Sequence, residues 1–132
     1  MDSGNQSFYA CDMATIGLAV VGVLQRPAET ANEYLTIASH RSTQNEVLQE
    51  LERKTGSSWS VTNRKGIASY ATAWRMIQSG YNGWPRMLQS YVFRDRDPPI
   101  DAPGTLDGND LLEIEFGNVR MTVEEVFRDL DL

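Results

Sequence analysis

From Ile16 to Leu24 the chain reads IGLAVVGVL, with no polar side chain. Asp12 or Thr15 offers a side-chain oxygen to cap a helix here, and Pro27 stops it. Along that helix Ile16, Leu18, Ala19, Val20, Val21, Val23 and Leu24 cover nearly the whole circumference. A helix apolar on all sides needs burial on all sides. That is a heavy demand on a chain of 132 residues. A bilayer does not meet it, because a spanning helix takes roughly 20 apolar residues. The segment must therefore be covered by the rest of the fold or by another chain.

The length of 132 residues points to one domain, 1–132, within the roughly 100–200 residues usual for one. With 41% hydrophobic and 23% charged residues the chain has the balance of a folded, water-soluble protein. The formal charge of −6 repels phosphate backbones and excludes nucleic acid as the expected partner. Cys11 and His40 are each the single residue of their kind. An internal disulfide, a cysteine-based zinc site and a histidine cluster are thereby excluded. Met1–Phe8 carries Asp2 and no basic residue, unlike a signal peptide. The expected location is cytoplasmic, without a membrane partner.

Local patterns place the elements. Ser7 to Cys11 and Tyr34 to Ser39 are short strand candidates. Thr43-Gln-Asn-Glu46 has the spacing of a capping box, and Gly56 falls where a helix wants a left-handed terminator. Between them Val47, Leu48 and Leu51 share one face. Trp59 to Val61 alternates like a strand. From Gly66 to Gly80 the period is helical, with Ile67, Tyr70, Ala71, Trp74 and Ile77 on one side. A turn at Tyr81-Asn-Gly83 leads to Pro85, suited to a first helical turn. The next stripe, Met87, Leu88, Tyr91 and Val92, reaches Phe93. Residues 94–110, rich in Pro, Asp and Gly, read as a flexible loop. Leu111–Phe116 fits a strand or a helical turn. Thr122-Val-Glu-Glu125 reads as a second capping box, opening a helix with Val123, Val126, Phe127 and Leu130 inward. The fold class is α+β, a truncated α/β arrangement. It combines about four to five helices with two to four short strands in a small sheet completed by oligomerisation.

No stretch has the spacing of a dinucleotide or phosphate loop, a nucleophile elbow or a metal site. His40 follows a strand, and ligands of α/β units gather at the carboxyl ends of strands. Its ordinary pKa suits proton transfer near neutrality. The competing reading is a surface residue in the turn before Thr43. Tyr70, Trp74, Tyr81, Trp84 and Tyr91 form a second group. Aromatic walls with polar tips line small-molecule pockets, while helical spacing alone would make Tyr70 and Trp74 core. Lys65 could serve as a pocket cation, the competing and favoured reading being a surface position after a strand; Arg75 reads as solvated, and Glu124/Glu125 and Asp95/Asp97 as solvated faces or loop charges.

These residues also carry a resemblance. Ile16-Gly17, Leu24, Pro27, Glu29-Thr30 and Asn32 are followed by Thr43, Glu46, Glu52, Thr55-Gly56, Trp59 and Val61. This succession resembles the NmrA-like/isoflavone-reductase-like family of atypical short-chain dehydrogenases, fungal members above all. The likeness covers roughly residues 8–93, fades through the loop and returns weakly in the last helix. It departs at Thr15, where the family has the Asp of Asp-Ile-Gly. The resemblance implies a counterpart of the carboxy-terminal, substrate-binding portion, without the Gly-rich nucleotide loop, most of the parallel sheet or the catalytic lysine. No nicotinamide cofactor is then expected. The surfaces at Ile16–Leu24 and along Tyr34–Ser39, which would flank the nucleotide half, are expected to join a homo-oligomer instead. The expected activity is a cofactor-independent cyclase or isomerase of fungal specialised metabolism acting on a small molecule. His40 and Tyr70 would move protons, and Trp74, Tyr81, Trp84 and Tyr91 would hold the substrate. The alternatives are a non-catalytic ligand-binding or regulatory module, and a remnant or subunit of an NADPH-dependent reductase.

Overall fold

A computed structural model describes residues 1–96 and 107–129. Most of the loop expected at 94–110, and Leu130 of the last helix, lie outside the described residues. Two compact units emerge. One combines Met1–Phe8 with the described part of Thr43–Ile100, and the other Tyr9–Ser42 with the described part of Asp101–Leu132.

β1 (Phe8–Ala10), which enters the second of these units at Tyr9, pairs with β2 (His40–Ser42) in a two-stranded sheet. Helix α1 (Met13–Gln25) follows β1. Asp12 caps it, its carboxylate accepting the Thr15 amide at 2.7 Å. Pro27 sits at the first position of a short helix, α2 (Pro27–Thr30), because its missing N–H costs nothing there. One face of α1 is packed: Ala19, with Val23 beside it, meets Leu112 and Ile114 in a small core shared with Leu35 and Ile37. The opposite face is bare. Met13 is 80% exposed and Leu24 74%, with Leu18, Val20 and Val21 also exposed. The burial expected on all sides is thus met on one side alone, since this core is too small to wrap the helix.

The segment 34–39 is not a strand, contrary to the expectation from its β-branched residues. Its backbone is taken by side chains and by another element, α6 (Asp107–Leu111). Asp107 accepts the Thr36 amide at 3.0 Å, and the Gly108 amide donates to the Thr36 carbonyl at 3.1 Å. Asn109 accepts the Ala38 amide through Oδ1 and donates to the Ala38 carbonyl through Nδ2, both at 2.9 Å. Its Nδ2 also reaches the Ile114 carbonyl at 3.2 Å. A buried side-chain amide therefore replaces a neighbouring strand. Ser39 closes the segment, its amide on the Ala10 carbonyl and its carbonyl on the Gly117 amide. The edge expected to be bare is occupied at these positions.

Helix α7 (Val119–Asp129) starts earlier than its sequence pattern indicates and packs against β2. Asn118 caps it by accepting the Met121 amide at 3.2 Å. Thr122 therefore lies inside the helix and is not a cap.

The other unit begins with α3 (Gln44–Thr55), where the capping box forms as expected. Thr43 accepts the Glu46 amide, and Glu46 accepts the Thr43 amide at 2.7 Å. Gly56 ends it at φ 66°, the left-handed region that only glycine enters freely. Trp59–Val61 is not a strand, having no strand beside it. Trp59 instead folds back on α3, with its amide on Glu52 at 2.9 Å and its indole N–H on Thr55 at 3.2 Å. Helices α4 (Gly66–Gln78) and α5 (Trp84–Phe93) pack on each other. Gly83 is required at their junction, because a Cβ there would strike the Ala73 carbonyl. Ala73, Met87 and Ser90 are buried in this unit. The first residues thread along its rim. Asp2 accepts the Gly66 amide at 2.9 Å and so caps α4 from a distance in sequence.

Seven helices and two strands stand among the described residues, which is the α+β class. The helices beyond the expected number are the short α2 and α6.

Candidate functional site

Two chain segments build the site around His40. β2 places the imidazole, and α7 runs alongside. His40 is 3% exposed, so it is an interior residue and not a surface one. Its Nδ1 lies 3.1 Å from the Thr122 hydroxyl. Burial disfavours the imidazolium and lowers the His40 pKa, while the Asp12 carboxylate pulls the other way. The net direction is downward, so His40 is neutral at pH 7.

Asp12 balances differently. Burial alone would raise its carboxyl. The Thr15 amide, the Ser39 and Thr15 hydroxyls and the attraction of His40 together outweigh burial and hold it below its ordinary value. The Ser39 hydroxyl accepts the Asp12 amide at 2.8 Å and donates to the Thr15 hydroxyl at 3.0 Å. The neutral imidazole thus has the Thr122 hydroxyl at its Nδ1 and interacts with a carboxylate that Thr15 and Ser39 keep ionised.

These groups border a cleft of about 240 Å³, lined by Asp12, Thr15, Ser39, Thr122 and Glu125 on its polar side and by Leu18, Ile114 and Met121 on its apolar side. His40 stands behind this lining. Thr122, which does line the cleft, is the side chain that contacts its Nδ1. A hydroxyl backed by a neutral imidazole can pass a proton to or from an oxygen bound in front of it.

Tyr70, Trp74, Tyr81, Trp84 and Tyr91 belong to the other unit, on α4, the following turn and α5. All five reach solvent, from Tyr70 at 38% to Tyr81 at 70% exposed. Tyr91 carries the Arg96 guanidinium over its ring at 4.0 Å. Of the residues singled out in sequence, His40 therefore joins a built polar site, and the aromatics form a half-exposed surface. The sequence reading missed Thr122, whose spacing to Glu125 imitated a cap. It also missed Asn109, which lay in an apparent loop. Thr122 is 82 residues from His40, and nothing local in either segment marks the pairing.

A dinucleotide does not fit this site. Such ligands lay a pyrophosphate on the open N-terminus of the helix after a strand, across a glycine-rich turn. Here the turn from β1 to α1 is Cys11-Asp12, and the Asp12 carboxylate already occupies the helix end. Among the described residues no group of His, Cys, Asp and Glu could hold a metal ion. Among them, too, no helix is long and apolar enough to cross a membrane.

Comparison with known proteins bears on the origin of this arrangement. The chain is 40% identical over 83 residues to Oxidoreductase poxI of Penicillium oxalicum, a match covering 63% of the chain and 26% of that protein. It is 39% identical over 61 residues to Oxidoreductase aprR of Aspergillus flavus, covering 46% of the chain and 20% of that protein. The chain is related to fungal oxidoreductases. It spans about a quarter of the length of the curated relatives it matches. No protein-family profile matches it, and no solved structure does.

Proposed function

We propose that the chain is the small-molecule-binding lobe of an NmrA-like, reductase-type protein of fungal specialised metabolism. Its share in chemistry is to bind the substrate and to hold or move a proton through Thr122 and His40. The observation that carries this reading is the 40% identity to a protein named an oxidoreductase, over a stretch that is 26% of that protein. The Asp12-capped helix end supports a division of labour, because these residues do not offer a seat for the dinucleotide. Hydride transfer would then depend on residues outside these 132.

Titration of NADPH into the chain tests the division. The reading expects no saturable change in nicotinamide fluorescence. Micromolar binding by the chain alone overturns it.

A second reading is a cofactor-independent isomerase or cyclase. It is favoured by the neutral, buried His40 paired with Thr122 beside a cleft, which is the equipment for proton transfer without redox change. Turnover of a candidate intermediate without nicotinamide, lost in Thr122→Val, would support it. We also propose a homo-oligomer joined through Ile16–Leu24. With the 36–39 backbone occupied, the exposed face of α1 is the remaining ground for it.

A further inference from the structure

The larger cavity lies elsewhere, in the unit that holds α4 and α5. A groove of about 820 Å³ has Ile67, Ala68 and Ala71 of α4 as its floor, and Lys65, Arg94 and Arg96 among its walls. That volume is in the range of small-molecule sites, roughly 300–1,000 Å³. Two carboxylates, Asp2 and Asp95, also border it, but both are already engaged. Asp2 accepts the Gly66 amide at 2.9 Å and the Asp95 amide at 3.2 Å. Asp95 accepts the Ser3 hydroxyl at 2.7 Å and the Ser3 amide at 3.1 Å.

The cations are less committed. Among the described residues, neither Lys65 nor Arg94 has a carboxylate within ion-pair distance. Arg96 stacks on Tyr91 and donates to the Tyr91 carbonyl, yet its Nε is buried without a partner. A buried N–H left unpaired costs about 1–3 kcal/mol. Three cations against two carboxylates leave an excess of one positive charge over an apolar floor, in a chain whose formal charge is −6.

We propose that this groove binds a monoanionic small molecule with a flat or aliphatic apolar body, an aryl carboxylate being the simplest case. The apolar body lies on Ile67, Ala68 and Ala71. The carboxylate meets Lys65 and Arg94. One net positive charge matches one negative charge, so a monoanion is preferred over a dianion. The inference does not depend on the oxidoreductase reading, since it concerns recognition by a unit that does not contain His40.

The test uses the whole chain, isotope-labelled, with 2-naphthoate, neutral 2-naphthamide and dianionic 2-naphthyl phosphate as probes. Expected are saturable amide shifts on Gly66, Ile67 and Ala68 with 2-naphthoate. Binding of the amide should be at least about tenfold weaker, the worth of one charge-assisted hydrogen bond. Lys65→Gln and Arg94→Gln, each on a partly or fully exposed side chain, should each weaken 2-naphthoate by about tenfold and leave the amide unchanged. Equal affinity for acid and amide overturns the proposal, as does unchanged affinity in both variants. Tighter binding of the phosphate overturns the preference for a monoanion. A far-ultraviolet circular dichroism spectrum matching the parent shows that each variant is folded.

Discussion

Asn109→Ala is the most informative single change outside the proposed sites. Asn109 is buried, and its one amide serves three backbone groups: the Ala38 amide, the Ala38 carbonyl and the Ile114 carbonyl. Truncation leaves the Ala38 N–H without its acceptor in a position 1% exposed, at about 1–3 kcal/mol. The two carbonyls lose a donor each, at about 1 kcal/mol apiece. The sum is roughly 3–5 kcal/mol, a large part of the roughly 5–15 kcal/mol that holds a domain folded. Urea denaturation followed by circular dichroism should show the midpoint falling with little change in slope.

Asn109→Asp sharpens the test. One carboxylate oxygen still accepts the Ala38 amide, but the other faces the Ala38 carbonyl without a proton. The penalty should equal or exceed that of alanine at pH 7. It should shrink as the pH falls toward about 4, where a protonated acid can donate again. A loss below about 1 kcal/mol for Asn109→Ala, or an Asn109→Asp penalty that does not move with pH, would refute the view that this amide substitutes for a strand.

Three further outcomes are expected. Because the folded-state pKa of His40 is lowered, the unfolded chain binds more protons between that value and about 6.5. Stability is therefore full above about pH 6.5 and falls as the pH drops through that window; His40→Asn should remove this slope in urea titrations, and an unchanged slope would contradict the assignment. Thr43→Ala should cost about 1 kcal/mol, as read by thermal denaturation, through loss of the hydroxyl that accepts the Glu46 amide; the backbone amide of residue 43 still donates to Glu46. Light scattering at micromolar concentration should give a homo-oligomeric mass that falls to the monomer in Leu24→Glu, and a monomeric parent chain would reject the α1 interface.

The most legible parts of the sequence were those governed by neighbours along the chain. Thr43 and Glu46 are three residues apart, and Gly56 needs only its own φ, so α3 was placed correctly at both ends. The helical periods of α4 and α5 were legible for the same reason, and the cap of α1 was narrowed to Asp12 or Thr15, of which Asp12 takes the role. The segment 34–39 was misread because β-branched residues favour an extended chain without specifying what bonds it; Asp107 and Asn109 do so from across the sequence. Trp59 was misread because alternation marks a strand only where a partner exists. At the candidate site, His40 was legible as a type of residue, but its burial and its Thr122 partner were not, since both depend on where α7 comes to lie. The aromatics at 70–91 showed their density in sequence but not their exposure.

The most direct test of the proposed function is hydride transfer in a reconstituted mixture. The chain is combined with a separate nucleotide-binding chain of the same kind of oxidoreductase, NADPH and a carbonyl substrate accepted by that protein. The account predicts NADPH oxidation in the mixture, none with the chain alone, and at least a tenfold loss with Thr122→Val. NADPH oxidation by the chain alone, or a mixture whose rate does not respond to Thr122→Val and His40→Asn, would contradict it.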